Sequence, residues 1–296
     1  MLVNPKQMIL EAKKGGYAIG CFNTSDLEIT KAIIAAAVAE NAPVMISTSE
    51  KAIEYAGLEE ISLIVIEAAR EVQVPVALHL DHGQSIRTVE KCIRAGYTSI
   101  MFDGSGLALE ENEIKTRHAV ELTHHASLAC EGELGHLGKA GPSTPLDDTR
   151  GRSLGVNVNS SDLTDPEDVS GFIQRTGVDF LAVSIGSQHG SQGTSSEKID
   201  IELLKKIAAE TSVPLVLHGA SGVGDADVQA AVKNGIAKIN IDTDIRKTFT
   251  NGLRQALDGD PREYDPREVF SKAMLAVQQL VEAKIKLFGS SGKAKI

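Results

Sequence analysis

The chain has no apolar run long enough to span a bilayer, and its first residues, Met1-Leu2-Val3-Asn4-Pro5-Lys6, have no signal-peptide apolar core. A cytoplasmic protein is therefore expected. Cysteine is scarce: Cys21, Cys92 and Cys130 are scattered and odd in number. That excludes a disulfide framework and fits a reducing compartment. Basic clusters are missing as well. With a formal net charge of −10, the chain is not built for nucleic acid or for an anionic membrane, so any phosphate-binding groups must be local. There is no linker to divide it and no repeat beyond the alternation described next.

Short apolar runs alternate with longer amphipathic stretches. Strands are expected at 17–23, 44–48, 76–81, 99–103, 128–133, 180–186, 215–218 and 238–242. Helical spacing lies between them, as in 26–40 and 85–94. Uninterrupted βα alternation implies parallel strands with crossover helices. Eight units in 296 residues fit an α/β fold of the TIM (β/α)8 type better than an open sheet. The whole chain, 1–296, reads as a single barrel domain with extra C-terminal helical segments at 244–258 and 266–287. A long polar loop at 138–160 follows strand five and reads as a lid or insertion. The tail from Gly289 shows no periodicity and is expected to be mobile.

Polar residues gather at one end of these strands: Asn23, Ser49, Asp81-His82, Asp103, Glu131 with Glu133, His189, His218, and Asn240 with Asp242. Barrel enzymes build their active sites at the carboxyl ends of the strands, so this bias alone argues for an enzyme. The most informative stretch is His79-Leu80-Asp81-His82-Gly83, which ends the apolar run Val74-Pro75-Val76-Ala77-Leu78. One histidine at a strand end is ordinarily a hydrogen-bonded polar group. Here His82, His189 and His218 are each followed by glycine, which lets the backbone turn and a ligand approach. Three imidazoles make a zinc site with one position open. His79 shares a strand face with Asp81 and could ligate or support; support is the better reading. His118, His124, His125 and His136 read as structural or surface groups.

The run His218-Gly219-Ala220-Ser221-Gly222-Val223-Gly224 precedes one helix, and Asn240-Ile241-Asp242-Thr243-Asp244 precedes another. Loops after strands seven and eight commonly bind phosphate in this fold, at free N–H groups and the positive end of a helix. Gly219, Ser221, Thr243 and the backbone of Asp242 are the candidates. The plainer reading makes Asp225 and Asp244 helix caps. The run matches neither a dinucleotide fingerprint nor a Walker loop.

These motifs resemble the class II, metal-dependent fructose-bisphosphate and tagatose-bisphosphate aldolases. The resemblance spans Cys21-Phe22-Asn23, Pro43-Val44-Met45-Ile46 with Ser49, the His79–Gly83 stretch, and Ser99-Ile100-Met101-Phe102-Asp103-Gly104-Ser105. It continues through Glu131-Gly132-Glu133-Leu134-Gly135, Ile185-Gly186-Ser187-Gln188-His189-Gly190, the two phosphate-loop runs, and Tyr264-Asp265-Pro266-Arg267. It implies zinc held by His82, His189 and His218, with Asp103 and Glu131 as carboxylates near the metal, in alternative metal positions or in support. It implies Asp81 as catalytic acid/base. Gly190, Gly219, Ser221, Asp242 and Thr243 would hold a phosphate, with Asn240 at the reacting end and Asn23 and Ser49 also facing substrate. A monovalent cation is implied nearby. Arg267 would reach a neighbouring subunit's site, so a homodimer or homotetramer is expected, acting on a small sugar phosphate.

Two departures fall on loops. Gly138-Lys139-Ala140-Gly141-Pro142 stands where the family has a Gly-Gly-Glu-Asp-like stretch, with Asp147 or Asp148 as replacements. Ser191-Gln192-Gly193 follows His189-Gly190 where an aromatic and a lysine are usual. The substrate stays open between fructose and tagatose bisphosphates and a deoxy, oxidised or sulfonated sugar phosphate. Three competing readings remain: a Schiff-base enzyme using Lys238, a metal-dependent barrel hydrolase, and a non-catalytic aldolase-like partner subunit. The hydrolase is disfavoured because strand one ends without a histidine.

Overall fold

The computed structural model describes residues 1–136, 163–187 and 198–294. Eight strands run in chain order: β1 (Ile19–Asn23), β2 (Val44–Ser49), β3 (Val76–Gly83), β4 (Ser99–Phe102), β5 (Ala129–Leu134), β6 (Phe180–Val183), β7 (Leu215–Leu217) and β8 (Ile236–Ile241). Each pairs in parallel with the next, and β1 pairs with β8, closing the expected TIM barrel. Strands buried on both faces need apolar side chains at successive positions, which is why they read as continuous apolar runs. Alternation still sorts those side chains. Ile19 and Cys21 of β1 point into a small interior cluster with Met45, Ala77, Met101, Phe180 and Val216. Phe22 and its neighbour before the strand, Ala18, join the larger cluster beneath the helices.

The helices are α1 (Lys6–Gly15), α2 (Leu27–Ala39), α3 (Glu50–Ala56), α4 (Leu58–Arg70), α5 (Ile86–Arg94), α6 (Leu109–His125), α7 (Pro166–Thr176), α8 (Ile201–Ala209), α9 (Asp225–Lys233), α10 (Thr243–Gly259) and α11 (Pro266–Phe288). The sequence reading assigned no helix before β1, because α1 buries only Ile9 and Ala12. Those two belong to the barrel's interior cluster, so α1 stoppers its amino-terminal end. Polar contacts fix the stopper. Lys6 Nζ lies 2.6 Å from Asp179 Oδ1, and Lys13 Nζ donates to the Ser212 and Val213 carbonyls at 2.8 and 3.1 Å. Asp179 also accepts from the Cys130 N–H at 2.8 Å and sits 2.9 Å from His124 Nε2, tying α1, β5 and α6 together.

The two helical segments expected after the last strand are α10 and α11. The latter packs on α10 and α2, burying Val277, Val281, Ile285 and Phe288. The tail beyond it departs from expectation. Ser290 is fully buried, and the N–H groups of Gly292 and Ala294 donate to the carbonyls of Glu40 and Asn41 at 2.8 and 2.9 Å. Those partners come from the end of α2, so nothing within the tail's own pattern announces them. No helix among the described residues is long and apolar enough to cross a membrane. The 138–160 loop, with Asp147 and Asp148, and the stretch holding His189 and Gly190 lie outside the described residues.

Candidate active site

β3 delivers Asp81 and His82, and its backbone is bent to do so. The pairing with β4 shifts register between Leu80 and Gly83, and His82 has a positive φ of 53°. That left-handed conformation costs a non-glycine residue roughly 1–2 kcal/mol. It lets both successive side chains serve one site, where plain alternation would send them to opposite faces. Gly83 cannot be larger, since a Cβ there would lie 2.8 Å from the Met101 carbonyl oxygen.

His82 and His218 converge from β3 and the end of β7. Their Nε2 and Nδ1 atoms lie 3.1 Å apart. Each ring is held at its other nitrogen by a carboxylate: His82 Nδ1 is 2.8 Å from Asp103 Oδ2, and His218 Nε2 is 2.8 Å from Glu131 Oε1. An ionised carboxylate only accepts, so those outer nitrogens donate and the inner nitrogens point at each other. Imidazole ligands are commonly oriented in this way around a metal. Asp81 Oδ1 lies 3.9 Å from both inner nitrogens. Asp81, His82 and His218 offer ligand atoms all within 4.8 Å of one another, and so do His82, Asp103 and Glu133.

The electrostatics favour a positive charge here. Burial opposes an imidazolium at His82, yet Asp81, Asp103 and Glu133 raise its pKa to about 10. The carboxylates around the facing nitrogens thus favour a positive charge between them. The donor set of two imidazole nitrogens and nearby carboxylates fits a divalent metal. Burial also opposes ionisation of Asp81, but His82, His218, Lys238 and Asn23 hold its pKa at about 2. Asp103 is held well below the ordinary range, burial being outweighed by His82 and Ser105.

Two amides grip Asp81. Asn23 Nδ2 donates to Oδ2 at 2.8 Å, and Asn240 Nδ2 donates to Oδ1 at 2.9 Å. Ser47 Oγ donates to Asn23 Oδ1 at 3.0 Å, and Lys238 Nζ donates to Asn240 Oδ1 at 2.7 Å. Lys238 is fully buried and also lies 2.9 Å from Glu131 Oε2. Burial disfavours its ammonium, but Cys21, Glu131 and Asp81 together raise its pKa. A fully buried lysine whose Nζ is taken up by Asn240 Oδ1 and Glu131 Oε2 is poorly placed as a Schiff-base nucleophile, which speaks against that alternative. His79 lies beneath the cluster, 2.9 Å from Ser99 Oγ through Nδ1 and 3.7 Å from Glu131 Oε2 through Nε2.

The structure thus gathers Asn23, Asp81, His82, Asp103, Glu131, His218 and Asn240, all singled out in the sequence. Glu133, also among the strand-end residues, places Oε2 3.6 Å from His82 Nδ1; Lys238, considered in the sequence only as a Schiff-base lysine, joins as a donor, and Ser47 is new. Ser47 could have been found as the residue between Met45 and Ser49 on the inward face of β2. Lys238 stands out as a charge inside an apolar strand.

The loops after β7 and β8 meet, the Asp244 N–H donating to Ser221 Oγ at 3.3 Å. Gly219 takes the left-handed conformation, with φ of 66°, to start the 3-10 turn Ala220–Gly222. The cap positions of α9 and α10 are Gly224 and Asp242, neither of which makes a side-chain cap bond. Asp225 and Asp244 therefore lie within the first turns and do not serve as caps. The Asp242 carboxylate is held by Arg246 at 2.7 and 2.9 Å. Ser49 caps α3, accepting from the Ala52 N–H at 3.3 Å, and pairs in register with Asp81. Arg267 is apart from the cluster, on the surface at the start of α11, and is paired with Asp265 at 2.7 Å.

Comparison with known proteins agrees with this geometry. The family described as fructose-bisphosphate aldolase class-II matches residues 3–293. The fructose-bisphosphate aldolase of Thermus caldophilus is 39% identical over 99% of this chain and 100% of its own. That of Helicobacter pylori strain 26695 is 36% identical over the same shares. Among solved structures, the YdjI aldolase of Escherichia coli K12 superposes with a TM-score of 0.84 at 33% identity, covering 100% of both chains. A second solved structure, from Coccidioides immitis, gives a TM-score of 0.83 at 28% identity over 98% of each chain. The chain belongs to the class II fructose-bisphosphate aldolases, metal-dependent carbon–carbon lyases that act on sugar phosphates.

Proposed function

We propose that the protein catalyses the zinc-dependent, reversible aldol cleavage of a ketose bisphosphate to dihydroxyacetone phosphate and an aldehyde. The observation that carries this is the pair of inner imidazole nitrogens 3.1 Å apart, with Asp81 Oδ1 3.9 Å from each. His82 and His218, joined by His189, would hold the metal. Asp103 and Glu131 would fix the two rings from behind. Bound zinc supplies Lewis-acid stabilisation of the negative charge left on the ketose oxygens, a contribution of several kcal/mol.

The protein's own residues do the rest. Asp81, ionised and fixed between two amides, accepts the proton of the C4 hydroxyl as the C3–C4 bond breaks and the aldehyde leaves. The bonding pair stays on the ketose half as an enediolate, which takes a proton at C3, from Asp147, Asp148 or solvent, to become dihydroxyacetone phosphate. In the reverse direction the same carboxyl returns that proton. Gly190, Gly219, Ser221, Thr243 and the backbone of Asp242 hold the phosphate of the dihydroxyacetone half. The start of α10, where Asp242 makes no side-chain cap bond, supports that role, since helix amino termini favour anions. Asn23, Ser49 and Asn240 orient the reacting end, with a monovalent cation nearby. Arg267, exposed and far from its own chain's cluster, binds the second phosphate in a neighbouring subunit of a homodimer or homotetramer.

A panel of ketose phosphates, including fructose and tagatose bisphosphates, is assayed for release of dihydroxyacetone phosphate. Chelation abolishes turnover and zinc restores it, while borohydride with substrate leaves the enzyme active. Full activity in metal-stripped protein would reject this function.

A further inference from the structure

We propose that Lys238 is a positioning residue whose buried ammonium orients Asn240 towards Asp81 and Glu131 towards His218 at once. An asparagine amide has a donor end and an acceptor end of nearly the same shape, and something must decide which faces the reacting carboxylate. Lysine can only donate and an ionised carboxylate can only accept. With Lys238 Nζ 2.7 Å behind Asn240 and Asp81 2.9 Å in front, a single amide orientation satisfies both neighbours. The amide therefore presents N–H to Asp81 in every turnover. Without Lys238 the acceptor end could turn to the carboxylate and repel it.

The same ammonium works on the metal side. Glu131 places Oε2 2.9 Å from Lys238 Nζ and Oε1 2.8 Å from His218 Nε2. Pinned there, Glu131 holds the His218 N–H on the outer nitrogen and leaves Nδ1 facing His82. One side chain with no view of the substrate thus aligns both the proton acceptor and a metal-facing ring. Ser47 is the weaker counterpart on the opposite side: its hydroxyl donates to Asn23 Oδ1 and turns that amide's donor end onto Asp81.

The test uses the full chain, stripped of metal and reloaded with zinc. Lys238→Met leaves the Glu131 charge stranded, so the charge-neutral double variant K238M/E131Q is measured beside it. Ser47→Ala, which strands no charge, probes the opposite amide. Zinc affinity is read by chelator competition, independently of turnover; kcat and KM are read at saturating zinc. The kcat arm rests on the function proposed above, whereas the affinity arm does not. Absence of wild-type turnover would therefore reject that function and leave this inference to be decided by affinity.

Lys238→Met is expected to weaken zinc binding about tenfold or more, as loss of support behind a ligand does. Measured against Glu131→Gln alone, the double variant is expected to lose about a further tenfold or more in kcat, with KM within about threefold, since the Asn240 orientation stays lost. Ser47→Ala should lower kcat by a smaller factor and leave zinc affinity unchanged. A kcat in the double variant equal to that of Glu131→Gln alone would reduce Lys238 to charge balance and overturn the proposal. Wild-type zinc affinity in Lys238→Met would do the same, as would wild-type kcat in Ser47→Ala for the amide mechanism.

Discussion

Asp81 is gripped by donors on both oxygens and ringed by groups that keep it ionised. Replacing it with asparagine keeps the shape and removes the proton acceptor. Asp81→Asn is expected to lower kcat by about 10²–10⁴-fold, the usual share of general acid–base catalysis. It should leave zinc binding in place, since the two ring nitrogens and their supporting carboxylates are untouched. Activity within a few-fold of wild type would move the proton transfer to another group. At this scale the sequence was most readable where chemistry-bearing residues sit at strand ends. Asp81, His82 and His218 could be chosen before any coordinates because each follows an apolar run. Ser47 went unnoticed and Lys238 was visible only as a Schiff-base candidate, because their work is to turn other side chains. Such a role has no residue type or spacing of its own and appears only when donors are traced to acceptors across β1, β2, β5 and β8.

At the scale of elements, period and boundary signals placed all eight strands and the two helices after the last one, since burial on both faces imposes runs that polar loops interrupt. The bend in β3 was not legible, because a shifted register depends on how β4 lies beside it. The stopper helix α1 and the docked tail were missed for a related reason: each buries few of its own side chains and depends on polar contacts with distant segments. The α1 attachment can be tested at Asp179, which serves Lys6, His124 and the Cys130 N–H together. Asp179→Ala leaves that buried N–H without its acceptor and should destabilise the protein by about 1–3 kcal/mol. Substrate KM should not change, because the contact lies at the end of the barrel away from the site. A denaturation midpoint equal to wild type would show that the Asp179 contacts add nothing to the packing of Ile9 and Ala12 and the Lys13 contacts.

For the molecule as a whole, the three scattered thiols matter through burial. Burial raises the pKa of Cys21, Cys92 and Cys130 to about 12 each. In the unfolded chain a thiol ionises near pH 8.5. Between those values the unfolded state loses protons that the folded state keeps, so stability is fully present below about pH 8.5 and declines as pH rises towards 12. Each thiol contributes a slope of about 1.4 kcal/mol per pH unit once its unfolded form is ionised. Urea midpoints measured under reducing conditions should fall from pH 8 to pH 10, and fall less in Cys92→Ala. A flat midpoint across that range would contradict the burial of these groups.

The two amides on Asp81 come from opposite ends of the chain. Asn23 ends the first strand and Asn240 lies in the last, and those strands are neighbours at the seam where the barrel closes, with Cys21 in register opposite Asn240. In chain order Asn23 comes first, Asp81 next on β3, and Asn240 last on β8, with β4 to β7 lying between the carboxylate's strand and that of the second amide. Nascent, truncated or nicked chains that lack the closing strand can carry Asp81 and His82 on β3 without the clamp that holds the carboxylate. The full grip on Asp81 therefore exists only where the first and last strands meet and the barrel is closed.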